Sequence, residues 1–325
     1  MGQGLLRVHG LRVSFLADRE VPAVRGADLS IGTGESLGLL GESGSGKTAT
    51  ALAILGLVPP PGRVMAGSIA LEGRELTALS PREFREVRGR EIGMIFQEPM
   101  SSLNPVFTVG YQLGEALTAH FDLPRREVRT RCIALLREVG IPDPASRLNA
   151  YPSELSGGLR QRVMIAIAAA CRPRLLIADE PTTALDVTIQ AQVMALLRRL
   201  REEIGMALLL ITHDLGLAAQ NVERVAVMYA GHVVEEGKTR DLFARPLHPY
   251  TRGLLASMPG SPGIPRGGEL RVIPGTVPHP LRVPAGCPFR TRCAMAVDLC
   301  GSALPPLEET EPGRSVRCVR VTAGA

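Results

Sequence analysis

Leu37-Gly38-Leu39-Leu40-Gly41-Glu42-Ser43-Gly44-Ser45-Gly46-Lys47-Thr48 joins an apolar run to a glycine-rich turn, and Ala49 to Leu57 continues as a run of small and apolar residues. The apolar run reads as a buried strand and the following run as a helix. The turn matches the whole G-x-x-x-x-G-K-[ST] pattern in the strand–loop–helix context that pattern requires. Its glycines permit a nest of backbone N–H groups around the α- and β-phosphates of a nucleotide. Lys47 is placed to reach the β- and γ-phosphates, and the Thr48 hydroxyl to ligate Mg²⁺. Lysine usage supports the reading independently. The chain has 37 Lys plus Arg, yet Lys47 and Lys238 are its only lysines. A chain that writes nearly every cation as arginine still places a compact ammonium at this position rather than a planar fork. A plain glycine turn before a helix explains neither the full pattern nor that lysine.

Further along, Leu155-Ser156-Gly157-Gly158-Leu159-Arg160-Gln161 precedes Leu175-Leu176-Ile177-Ala178-Asp179-Glu180. Ser156 and the two glycines open a helix that runs on through Arg162 to Ala170. A helix N-terminus presents free N–H groups and the positive end of a dipole, so it can hold an anion. A second phosphate-binding element implies that two chains share each nucleotide. Asp179 and Glu180 end an apolar strand, at the edge where open α/β sheets gather their ligands. The alternative is a charged pair that merely closes a strand. His213 follows another apolar run, Ala207 to Leu210, and Gln97 follows Ile95-Phe96. A lone histidine is more often a packing residue and a lone glutamine a surface one. Their positions directly after strands favour function. Phe15 lies in Leu11 to Leu16, a stretch with strand-like alternation, and is equally well read as a packing residue or as a ring for stacking adenine.

At 325 residues the chain has room for a nucleotide core plus appendages. Residues from about 98 to 165 lack strand-like apolar runs and carry helical periodicity, as in Val128 to Val139. Strand–helix alternation returns from about 166 to 240, closing with Val225 to Tyr229 and Gly231 to Glu235. Between Met258 and Gly286 there are seven prolines and many glycines, which predicts irregular structure. No apolar run approaches the ~18 residues of a membrane helix, and the N-terminus lacks the layout of a signal peptide. The formal charge is +5, but the arginines are scattered through helices, as in Leu197-Arg198-Arg199-Leu200-Arg201. That pattern suits a solvated face, and no interleaving with aromatic residues suggests nucleic acid.

The phosphate loop, the LSGG-type segment, the acidic pair and His213, in this order, resemble the ATP-binding subunits of ABC transporters. The resemblance spans almost the whole chain. It narrows with Ser101-Ser102-Leu103-Asn104-Pro105, Asp186-Val187-Thr188-Ile189-Gln190 and Leu247-His248-Pro249-Tyr250-Thr251, which look like the oligopeptide and dipeptide importer ATPases; nickel importers share much of the pattern. Leu159 stands where the usual signature has Gln, a departure familiar in that branch. The resemblance implies an α/β fold: a P-loop NTPase core of RecA-like parallel sheet plus an antiparallel β subdomain, a helical subdomain at about 98–165, and an irregular cysteine-rich extension at 257–325 after an ATPase domain at 1–256. It implies Glu180 as the residue that polarises the attacking water and His213 as the switch that senses the γ-phosphate. The implied nucleotide contacts are Phe15, Gly41, Glu42, Ser43, Gly44, Ser45, Gly46, Lys47, Thr48, Ala49, Gln97, Ser156, Gly157, Gly158 and Asp186, with Thr48, Gln97 and Asp179 on Mg²⁺. In such a protein ATP at Lys47 and Thr48 of one subunit meets Ser156 and Gly157 of another. The implied partners are a second, non-identical ATPase, two membrane permeases reached through the segment from Gln97 to Val109, and indirectly an extracytoplasmic solute-binding protein. The implied location is the cytoplasmic face of the membrane. A nickel or other small-solute importer, and a soluble ABC ATPase outside transport, are the competing readings.

Four of the six cysteines, Cys287, Cys293, Cys300 and Cys318, fall in the last 39 residues. The spacing C-x₅-C-x₆-C-x₁₇-C is neither that of zinc fingers nor that of bacterial ferredoxins, and selects no metal. Resemblance to the cysteine-rich extension of peptide-importer ATPases implies a [4Fe–4S] cluster with a structural role; zinc and unligated thiols remain the alternatives. Cys132 and Cys171 sit in apolar helical contexts and read as ordinary buried residues.

Overall fold

A computed structural model describes residues 4–97, 102–183, 185–258 and 272–322. Ser101, Ala184 and much of the proline-rich stretch, residues 259–271, lie outside the described residues. The chain divides into two compact units: Met1–Ile31, Ser36–Thr77 and Leu210–Ala325 form the first, and Gly32–Glu35 with Ala78–Leu209 the second.

The first unit contains an antiparallel sheet of β1 (Leu6–Leu16), β2 (Glu20–Ile31), β4 (Gly62–Leu71) and β5 (Arg74–Glu75), in the order β2-β1-β4-β5. Leu6, Val8, Leu11 and Val13 of β1 are buried, and Arg7, His9 and Arg12 are exposed. This is the period-two pattern of a half-buried strand. The alternation begins well before Leu11, where the sequence alone suggested it. Register shifts near Gly10, Gly26 and Gly67, all with positive φ, form a row of bulges across the three long strands. A Cβ on Gly67 would lie 2.6 Å from the Leu11 Cα, so only glycine fits where the strands close up there.

β3 (Ser36–Leu40) pairs in parallel with β9 (Arg224–Tyr229), and every residue of β3 is buried. A strand covered on both faces needs a continuous apolar run, which is what Leu37 to Leu40 supplies. β9 turns into β10 (His232–Lys238) through Ala230 and Gly231, both at positive φ, as a two-residue hairpin requires. The extension is not wholly irregular. β11 (Glu308–Glu311) and β12 (Arg314–Val316) form a hairpin, and β12 adds to the edge of β10 with Glu235 opposite Val316. Glu235 is fully buried and accepts from the backbone N–H of Leu247 (2.8 Å) and His248 (2.9 Å) and from Arg314 (3.1 Å). Both carboxylate oxygens are therefore hydrogen-bonded and the charge is paired, as a buried carboxylate demands.

The second unit contains β6 (Ile92–Ile95) paired in parallel with β7 (Leu175–Asp179), which is buried along its whole length. β8 (Ala207–Thr212) carries the chain from the second unit into the first at Leu209–Leu210. Among the described residues between β6 and β7 there are only helices and loops, led by Val109–Thr118, Arg125–Glu138 and Gly157–Ala169. The helix Val187–Ile204 buries Val193, Met194, Leu197 and Leu200 and leaves Arg198 and Arg199 exposed. The arginine run is thus the solvated face of an amphipathic helix. No helix among the described residues is long and apolar enough to cross a membrane.

Candidate nucleotide site and cysteine pocket

The phosphate loop connects β3 to the helix Lys47–Ile54, and Gly41, Gly44 and Gly46 all take positive φ. Two of them are also sterically obligatory: a Cβ would lie 2.3 Å from the Met228 carbonyl at Gly41 and 2.6 Å from the Ala23 carbonyl at Gly46. The β9–β10 turn buttresses the loop, since the Gly231 N–H donates to the Ser45 carbonyl at 2.9 Å. Lys47 is only 6% exposed, and its ammonium donates to the carbonyls of Gly41 (2.8 Å) and Glu42 (3.0 Å). The lysine is therefore satisfied by its own loop and pre-positioned inside it. Ser43, Gly44 and Thr48 are exposed, and Ala49 is half-buried. Phe15 is half-buried, and a Cβ on Gly62 would lie 2.8 Å from its ring, so the ring packs against that glycine.

Glu42 has the densest set of contacts in the loop. Its N–H donates to the Tyr250 hydroxyl at 2.9 Å. Its carboxylate receives both arms of Arg292, at 2.8 and 3.1 Å. Tyr250 belongs to the helix Pro249–Ala256, and Arg292 lies between Cys287 and Cys293 of the extension. Neither residue was singled out for the nucleotide site by sequence reasoning. Tyr250 occurs in a quoted family-like stretch, whereas nothing in the sequence marks Arg292 among so many arginines.

In the second unit, Asp179 is buried at the end of β7 and Glu180 follows it at φ +47°, a conformation a non-glycine residue adopts only when its surroundings hold it there. The Glu180 carboxylate accepts from the Gln97 amide at 3.1 Å and the Thr183 hydroxyl at 2.9 Å. The structure thus brings together Gln97 and Glu180, which the sequence separates by more than 80 residues. Ser156 caps the helix Gly157–Ala169 through its hydroxyl, and Gly157 is exposed at its first turn. Gly158 packs close to Ile189, where a Cβ would approach to 3.2 Å. Asp186 accepts from the Ile189 N–H at 3.0 Å and so caps the helix Val187–Ile204. In the first unit, His213 is exposed directly after β8, and Asp214 beside it caps the helix Leu215–Asn221.

Cys287, Cys293, Cys300 and Cys318 line one small cavity together with His248, Phe289 and Met295. No group of three or more His, Cys, Asp or Glu among the described residues is arranged to hold a metal ion, so the expected cluster finds no support as a preformed metal site. Burial first, then the charges of the neighbouring cysteines, pushes the Cys287 thiol up to about 11 and raises Cys293 as well. Cys318 is raised for the same first reason, so without a cation the Cys287, Cys293 and Cys318 thiols are pushed toward the neutral form. Cys132 is buried, and burial raises its thiol to about 11, as for an inert core cysteine.

The ABC transporter family profile matches residues 24–183, and that of the oligopeptide/dipeptide transporter C-terminal region matches residues 234–300. The chain is 50% identical to the oligopeptide transport ATP-binding protein AppD of Bacillus subtilis, covering 97% of this chain and 96% of that one. The chain belongs to the ABC transporter ATP-binding proteins. Within that family it is also 49% identical to the oligopeptide transport ATP-binding protein OppD of Salmonella typhimurium, over 97% of this chain and 93% of OppD. Its fold is similar to the dimeric ATP-binding cassette MJ0796 bound to ADP and Pi, with a TM-score of 0.65 and 28% identity over 72% of this chain and 99% of that one. As an ABC transporter ATPase the chain couples ATP hydrolysis to transport, and the expected α/β cassette is borne out.

Proposed function

We propose that this ABC ATPase powers the uptake of di- and oligopeptides through partner membrane permeases. The match of residues 234–300 to the oligopeptide/dipeptide transporter C-terminal region carries this reading. The extension is built into the sheet through β12 and the buried Glu235–Arg314 pair, so it is an integral part of the protein. Lys47 exchanges the loop carbonyls it now holds for the β- and γ-phosphates of ATP, and Gly41 to Ala49 supply the surrounding N–H groups and the Thr48 hydroxyl. Thr48, Gln97 and Asp179 are the residues that would hold Mg²⁺, which would supply positive charge against the phosphates. Glu180, oriented by Gln97 and Thr183, polarises the attacking water, and His213 senses the γ-phosphate. Phe15 stacks on adenine, and Ser156, Gly157, Gly158 and Asp186 contact the nucleotide of a second, non-identical ATPase subunit. Val106, Phe107 and Tyr111 are exposed, and the rings of Phe107 and Tyr111 stack at 4.5 Å. This apolar patch suits docking on two permeases at the cytoplasmic face of the membrane, with a solute-binding protein outside.

Glu180→Gln keeps size and hydrogen bonding but removes the base. In the assembled transporter it should bind ATP, yet lose ATP turnover and peptide uptake; Lys47→Ala should lose ATP binding itself. Wild-type hydrolysis by Glu180→Gln would reject the role given to Glu180. Uptake of nickel rather than labelled dipeptide by the wild-type transporter would reject the cargo.

From the resemblance of the extension, and because Cys287, Cys293, Cys300 and Cys318 line one cavity, we propose that these four residues would hold a [4Fe–4S] cluster. The group would supply a structural staple to a segment with little core of its own. Anaerobic purification should return about four irons and four sulfides per chain. Stoichiometric zinc, or a metal-free and fully folded extension, would reject the cluster.

A further inference from the structure

We infer that the cysteine-rich extension prepares the phosphate loop for nucleotide, through Arg292 neutralising the Glu42 carboxylate. This rests on ATP occupying the loop at Lys47.

Glu42 presents a problem of charge. It places a carboxylate in a loop whose task is to gather a polyphosphate, and a like charge there opposes binding. Arg292 answers it. The guanidinium is 5% exposed and meets the carboxylate with two parallel N–H···O bonds, at 2.8 and 3.1 Å. A fork-to-fork pair of this kind fixes geometry as well as charge. Arg292 is itself held on every side. Its Nε donates to the Pro274 carbonyl at 2.9 Å, Nη2 to that of Gly275 at 3.3 Å, and Nη1 to the Tyr229 hydroxyl at 3.4 Å. The backbone of Glu42 is held by the same cluster, through the Tyr250 hydroxyl. Phe289, three residues before Arg292, packs against Tyr229 and Tyr250 with ring centroids 5.2 and 5.3 Å apart. Both the charge and the conformation of the loop's second residue are thus set by a segment about 250 residues away in the chain. The cysteines frame that segment. Cys287 N–H donates to the Cys300 carbonyl at 2.8 Å, and the turn from Cys287 to Cys293 carries both Phe289 and Arg292. Arg292 is therefore a positioning residue: it acts on the nucleotide through Glu42.

The test is ATP affinity of the full-length protein, measured by calorimetric titration, with KM and kcat for ATP in the assembled transporter. Arg292→Gln leaves an unneutralised carboxylate in the loop and should weaken ATP binding roughly 5- to 20-fold, the range expected for coupled neighbours. KM should rise and kcat should hold. Arg292→Lys keeps the charge but not the fork, and should fall between. Glu42→Gln, which removes the carboxylate, is measured as the reference for the double variant. The double variant Glu42→Gln/Arg292→Gln should recover most of the lost affinity. A residue that merely packs the extension would not be rescued by removing a charge from the loop. Wild-type affinity in Arg292→Gln, or no recovery in the double variant, overturns the proposal. Lys47→Ala separates the two readings: if it binds ATP as tightly as wild type, the nucleotide does not use this loop, whatever Arg292 does.

Discussion

His232 and His248 are buried, and both stay neutral far into the acid range. Burial, with Arg317, Arg25 and Arg12 facing it, holds His232 down to about 3. Burial, with Arg317 and Arg252 nearby, does the same to His248, again to about 3. The hydrogen bond from the Tyr250 N–H to Nδ1 of His248, at 3.1 Å, requires the unprotonated ring at that nitrogen. The ordinary value in an unfolded chain is about 6.5. Below that pH the unfolded chain takes up protons that the folded chain refuses, so the stability these rings contribute is complete above about pH 6.5 and drains away toward about pH 3. Thermal melts between pH 7.5 and 4.5 should show Tm falling steadily with acid. Replacing His248 with Gln, which keeps an acceptor but cannot titrate, should flatten that slope; an unchanged slope would exclude His248 as a source. Glu180 is a different kind of residue. Its left-handed backbone is held beside Gln97 and Thr183, so the strain sits where hydrolysis is assigned.

At the scale of elements, the row of bulges across β2, β1 and β4 is the sharpest constraint. Gly67→Ala must keep φ near +101° and also push a methyl group into the β1 backbone. It should cost roughly 1–3 kcal/mol in urea denaturation, the range for locally strained backbone. Gly73→Ala, with φ +84° but no atom within 4 Å of the added carbon, bears only the conformational part and should cost less. The contrast also explains what the sequence could and could not reveal. The buried strands β3, β7 and β8 were legible because a strand covered on both faces must be apolar throughout. The phosphate loop was legible because its glycines and lysine are fixed by chemistry at fixed spacing. β11 and β12 were not, since Glu308-Glu309-Thr310-Glu311 carries no apolar alternation; their pairing comes from the edge of β10 and the Arg314–Glu235 contact. The clamp on Glu42 was not legible either, because an ion pair between residues about 250 positions apart leaves no local period to read.

At the scale of the whole molecule, the first unit draws on three separate stretches of chain, and the last of them supplies both the β9–β10 hairpin and the extension. The phosphate loop is braced by Gly231, Tyr250 and Arg292, so its final form waits on residues that follow it far along the chain. The pairing of β12 with β10 carries a different kind of consequence. A chain cut after residue 256, where the ATPase domain is expected to close, would leave β10 with a bare row of N–H and C=O groups, and Glu235 a buried charge with no arginine. An open strand edge recruits other chains. The extension covers that edge, so a shortened cassette is expected to self-associate. A shortened cassette should be judged first by whether it remains monodisperse, before any loss of turnover is credited to the missing cysteines.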